Sequence, residues 1–184
     1  MPRRMPVWVV AFITISTGLL LLLLPACAGG PARVMTGTAL PPEPTLAIID
    51  LPPVALGQPS TKDGLIVTIF GVTAQETTSG FSPGAGNVYL VVDAQIENTG
   101  PDPFQVAFLG FGVTDAGGKS YYPPHSSPDF APQPALAPGE LASGATIRGN
   151  VMFEVPASVT AGVVSFVAER PGAHIWYRHQ FTWK

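Results

Sequence analysis

The sequence predicts an all-β protein, an antiparallel β-sandwich of about seven to eight strands. Three observations carry that expectation. Two long segments, Asn87–Asn98 and Ala145–Val155, alternate apolar and polar residues with period two, the signature of a strand with one face in a core. Short apolar runs at similar spacing are separated by turn-forming clusters such as Asn98-Thr99-Gly100-Pro101. Glycine (20) and proline (21) are abundant in the 184 residues, which favours turns and linkers over long helices.

Taken in order, Met1–Cys27 reads as an export signal. Arg3 and Arg4 form a positive start, Val7–Leu24 is uncharged and ends in six leucines, and small residues surround Cys27. Leu24-Pro25-Ala26-Cys27 resembles the bacterial lipobox, with Pro25 an unusual member. That resemblance implies that Cys27 becomes the first mature residue and carries lipid on its sulfur, holding the protein on the extracytoplasmic face of the bacterial cell membrane. The alternative is an uncleaved span, since the apolar run approaches the roughly 20 residues needed to cross a bilayer. Either way Arg3 and Arg4 stay inside and the rest lies outside. The residues flanking the arginine pair do not support twin-arginine export. The expected organisation is a signal over 1–26, a Pro/Ala/Gly-rich tether over 27–58 and a sandwich domain over 59–184. Prolines 31, 41, 42, 44, 52, 53 and 59 make the tether a semi-rigid spacer. Within it, Leu46–Leu51 is apolar and reads either as a membrane-near segment or as an extra strand on the domain.

From Gly57 the chain becomes strand-like. Leu65, Val67 and Ile69 alternate with Ile66, Thr68 and Phe70, so this strand is apolar on both faces. Thr77–Gly86 is a loop. In Asn87–Asn98, Val88, Leu90, Val92, Ala94 and Ile96 share the core face; Tyr89 and Val91 on the other suggest a covering segment there. Phe104–Phe108 and Phe111–Thr114 are short strands. Asp115–Lys119 turns the chain into Ser120-Tyr121-Tyr122. Pro123–Pro138 is a proline-rich crossing loop. Ala145–Val155, Val163–Ala168 and Ile175–Trp183 complete the strands, the last placing Tyr177, His179, Phe181 and Trp183 on one face.

Three motifs in this order resemble a known family. They are Tyr89-Leu-Val-Val-Asp-Ala-Gln-Ile-Glu-Asn-Thr-Gly100, Phe111-Gly-Val-Thr-Asp-Ala-Gly-Gly-Lys-Ser-Tyr121, and Leu136-Ala-Pro-Gly-Glu-Leu-Ala-Ser-Gly144 leading into Gly149–Pro156. Together they are similar to the bacterial extracellular immunoglobulin-like family related to the secreted mycobacterial immunoprotective antigen. The resemblance covers about Ala55 to Ala168. It implies an immunoglobulin-like β-sandwich, often borne on a lipoprotein. It brings no established activity and no catalytic set, so no functional residue carries over. The Cys-Trp-Cys core of antibody domains is absent.

Charge and residue types narrow the function. The formal net charge is −3, and about −5 once Arg3 and Arg4 leave with the signal, which argues against a nucleic-acid partner. Cys27 is the single cysteine, so no internal disulfide forms and no blue-copper set can be assembled. His174 and His179 point to opposite faces of a straight strand, and the carboxylates are dispersed, so no metal or cofactor is expected. His125, Ser126, Ser127 and Asp129 imitate a nucleophile set, but loop neighbours rarely bring base and nucleophile into contact, and a hydrogen-bonded turn is the expectation. No catalytic residue is assigned and the protein is expected not to be an enzyme. Among the aromatics Tyr121, Tyr122, Phe130, Trp176 and Trp183, the candidate binding surface is Tyr121, Tyr122 and Trp176 with His125. The expected role is a cell-surface binding or scaffolding module, with an envelope protein or wall polymer as partner. The alternatives are a solute- or metal-binding subunit of an envelope system and, third, a hydrolase.

Overall fold

Period-two burial organises the chain as the alternation predicts. The structure, a computed structural model, describes residues 45–78, 80–124 and 127–184. In chain order they form β1 (Ala47–Asp50), β2 (Val54–Ala55), β3 (Pro59–Lys62), β4 (Leu65–Gln75), β5 (Asn87–Asn98), β6 (Phe104–Val106), a 3-10 turn (Phe108–Gly110), β7 (Phe111–Asp115) and β8 (Ser120–Tyr121). A single helical turn, α1 (Ser127–Phe130), precedes β9 (Gly139–Leu141), β10 (Thr146–Pro156), β11 (Gly162–Val167) and β12 (Ile175–Trp183). The export signal, Cys27, the first part of the tether and His125 lie outside the described residues. Among those described, no helix is long and apolar enough to cross a membrane.

One sheet runs β10-β5-β4-β3 and the other β1-β12-β11-β7-β8, with β2 also on β12 and β6-β9 forming a separate ribbon. β4, β5 and β10 in one layer and β7, β11 and β12 in the other reproduce the immunoglobulin strand arrangement. Between the layers lie Val67, Ile69, Val92, Ile96, Phe111, Val113, Phe153, Val164, Phe166 and Phe181, all essentially inaccessible. Phe111 and Phe166 pack ring to ring with centroids 4.4 Å apart.

The undecided stretch around Leu46–Leu51 is a strand of the domain. Ala47–Asp50 pairs in parallel with Ile175–Arg178, and Val54–Ala55 continues along β12. The sheet therefore begins inside the stretch assigned to the tether, and the expected boundary at 58/59 moves N-terminal. The physical reason is that β12 offers a free backbone edge on that side, and an apolar segment without a turn residue satisfies it.

The outer face of β5 is covered. Tyr89 and Val91 are buried, and Tyr89 packs with Met152 of β10 beneath Ala131, Phe130 and Ala135 of the crossing loop. Asn150 fixes that loop: its side chain donates to the Pro132 and Pro134 carbonyls at 3.0 and 3.2 Å, and its backbone exchanges hydrogen bonds with Pro134 and Leu136. The close passage requires Gly149, where a Cβ would stand 2.5 Å from the Leu136 nitrogen. In β4, Leu65, Val67 and Ile69 face the core and Phe70 lies on the opposite, exposed face as alternation predicts, while a register shift between Ile69 and Gly71 brings Val72 onto the core face. Over Phe70, Arg148 lies 4.0 Å from the ring centroid while chelating Asp93 at 3.1 and 2.8 Å.

Candidate binding cleft

The outer face of the second sheet carries a cleft of about 430 Å³. Alternation along each strand sets its lining. Trp176 and Arg178 on β12 project away from the core because His179 and Phe181 project into it. Register aligns Ile48 with Trp176 and Asp50 with Arg178, so β1 forms one end. Ser165 and Val167 of β11, with Gly112 and Thr114 of β7, make the floor, and Ser120 with Tyr122 closes the other end. Gln105, Ala107, Leu109 and Glu169 form a side wall.

Small residues create the concavity. A Cβ at Gly112 would stand 3.1 Å from the Ser165 hydroxyl and 3.5 Å from the Tyr122 ring, and one at Gly110 would run into the Val167 carbonyl. Large apolar side chains are left in solvent around it: Ile48, Leu109 and Tyr122 are 45%, 46% and 68% exposed. Among the described residues Arg178 is the one cation lining the cleft, and its Nη1 pairs with Asp50 Oδ1 at 2.9 Å. The Trp176 Nε1 is held out of solvent with no acceptor among the described residues.

The predicted surface is divided by the fold. Tyr122 and Trp176 both line the cleft, at opposite ends. Tyr121 does not, because adjacent strand residues point to opposite faces. Its ring packs against the core and its hydroxyl donates to Asp115 Oδ2 at 3.0 Å. Desolvation, then the Asp115 carboxylate, raises the Tyr121 hydroxyl above its ordinary value. Asp115 is held below the usual carboxylate range, chiefly by the Lys119 backbone N–H. Tyr121, half-buried, thus lies outside the cleft and braces the β7–β8 turn. Phe130 stacks edge-on against Phe81, and Trp183 is buried on the core side.

His179 is hydrogen-bonded through Nδ1 to Ser60 Oγ at 2.9 Å, and both residues are buried in the sandwich. Burial lowers its pKa from the model-peptide value to about 4, so it is neutral at physiological pH. Ser60 and His179 form a sealed structural pair. Among the described residues, no group of three His, Cys, Asp or Glu is placed to hold a metal ion.

Sequence reasoning missed Ile48, Leu109, Val167 and Arg178 as cleft residues. Arg178 was signalled by its position two residues from Trp176, hence on the same strand face. Leu109 and Ile48 carried no such signal, since one sits in a 3-10 turn and the other in the stretch left undecided.

With this geometry in view, the comparisons with known proteins are informative about class. Residues 54–168 match the family described as "Domain of unknown function (DUF4352)", and the chain belongs to that family. Among solved structures, it is similar to a "putative lipoprotein" (ycdA) from Bacillus subtilis, at 19% identity over 67% of this chain and 38% of the other, with a TM-score of 0.50. It therefore spans well under half the length of that protein. It is also similar to the yjhA protein of Bacillus subtilis (18% identity, 69% and 98% of the two chains, TM-score 0.52). A third is a conserved hypothetical protein of Bacillus anthracis (19% identity, 68% and 93%, TM-score 0.51). These likenesses concern the fold, a β-sandwich. No curated protein matches the sequence.

Proposed function

We propose that this chain is a non-enzymatic binding module, lipid-anchored through Cys27 on the extracytoplasmic face of a bacterial cell membrane, and that the cleft is its ligand site. The observation that carries the reading is the meeting of Tyr122, Trp176 and a single cation, Arg178, on one concave sheet face of a charge-poor domain. Anchoring is supported by Leu24-Pro25-Ala26-Cys27 and by the lipoprotein description of one structural neighbour. A non-catalytic role is supported by Ser60–His179, a Ser–His contact that the core seals from any substrate. The strand and turn motifs support kinship with the secreted mycobacterial immunoprotective antigen. The partner is an envelope protein or a wall polymer.

The test uses the full chain purified in detergent and immobilised against envelope extract. The wild type and a Thr73→Ala control on the opposite sheet face retain the same component, and the Tyr122→Ala/Trp176→Ala double variant loses it. Equal retention by the double variant contradicts the cleft as the site.

A further inference from the structure

We propose that the cleft takes an extended, proline-rich polypeptide lying across the strands in the polyproline II conformation. This rests on, and deepens, the reading of the cleft as a binding site. The first argument is length. From Ile48 on β1 to Tyr122 beyond β8 the cleft crosses the sheet order β1-β12-β11-β7-β8. Four inter-strand gaps of roughly 4.8 Å give a trough of about 19 Å. A polyproline II segment rises about 3.1 Å per residue, so the trough seats about six residues.

The second argument is chemistry. Aromatic rings at both ends, with Leu109 and Val167 between, offer the flat apolar surfaces on which proline rings dock. A polyproline II backbone makes no internal hydrogen bonds, so its carbonyls need donors from the receptor. Arg178 and Gln105 supply them inside the cleft. Trp176 adds an indole N–H without an acceptor, which rotation of the ring would bring to a ligand carbonyl.

The third argument is electrostatic. Arg178 is already paired with Asp50, Glu169 adds a negative charge to the wall, and residues 45–184 contain six basic and eleven acidic residues. Phosphate-rich polymers are therefore repelled, whereas an uncharged proline-rich segment is not.

The experiment titrates acetylated decaproline and, separately, chitotetraose into the full chain in detergent micelles, following tryptophan fluorescence and heat. Decaproline binds; Tyr122→Ala and Trp176→Ala each weaken it by about tenfold or more, as expected of aromatic anchors. Thr73→Ala, on the opposite sheet face, binds as wild type. Absence of decaproline binding at about 1 mM, the weak end of measurable affinity, overturns the proposal. So does binding that ignores both alanine variants. Chitotetraose binding in place of decaproline overturns the peptide class and leaves the cleft as the site. If neither probe binds and the double variant still retains its envelope component, both readings fall.

Discussion

At the scale of single residues, His179 and Asn98 show how the core enforces neutrality and satisfaction. His179 has a folded pKa of about 4 against an unfolded value near 6.5. Between those values the unfolded chain binds the proton and the folded chain does not. Stability is therefore full above pH 6.5 and falls as pH drops through the window toward 4. The expected loss between pH 7 and pH 5 is about 2 kcal/mol, from 1.36 kcal/mol per unit. Urea denaturation at the two values checks it, and His179→Gln should flatten that slope. Asn98 is fully buried; its amide donates to the Asp102 and Leu141 carbonyls at 2.9 and 3.0 Å, and its Oδ1 accepts from the Gly100 N–H at 2.9 Å. Asn98→Ala strands these groups and should destabilise by about 3 kcal/mol, since each orphaned buried group costs about 1–3 kcal/mol. Thermal melting measures it.

At the scale of elements, the crossing loop and the β3–β4 hairpin show what local sequence does and does not reveal. The loop's role was half legible: Tyr89 and Val91 on the outer face of β5 signalled a cover. Its identity was not, because Asn150 and Gly149 sit in β10, remote in sequence from Pro132, Pro134 and Leu136 of the loop that they hold or admit. Gly149→Ala pushes on the Leu136 backbone and should detach the loop while leaving the sheets paired. Hydrogen exchange should then rise at Leu136 and Asn150 but not at Val92. Exchange rising uniformly would show that the loop is integral to the sandwich. The hairpin was legible and overlooked. Asp63-Gly64 between Lys62 and Leu65 is a two-residue turn, with φ of 49° and 84° at its centre. The long strands declared themselves because their core-face residues recur with period two, although Tyr89, Val91 and Met152 on the outer faces are buried as well. β1 did not, because all four of its side chains are exposed and only the edge of β12 defines it.

At the scale of the whole molecule, the fold was readable from pattern and the site only in part. Tyr122 and Trp176 are 54 positions apart in sequence. They share a cleft only because β12, β11, β7 and β8 are neighbours in that order, a non-local fact that no single segment encodes. The prediction that belongs to this scale concerns anchoring. Cys27→Ser should move the protein from the membrane to the soluble extracytoplasmic fraction without changing the melting of the domain; full membrane retention would contradict lipidation at Cys27. The most direct measurement of the central claim is photo-crosslinking in intact cells. A photoreactive amino acid is placed at Leu109 on the cleft wall or at Thr73 on the opposite sheet. The account predicts a discrete adduct from position 109, abolished by Tyr122→Ala, and none from position 73. Adducts of equal yield from both positions, or none from position 109, would contradict it.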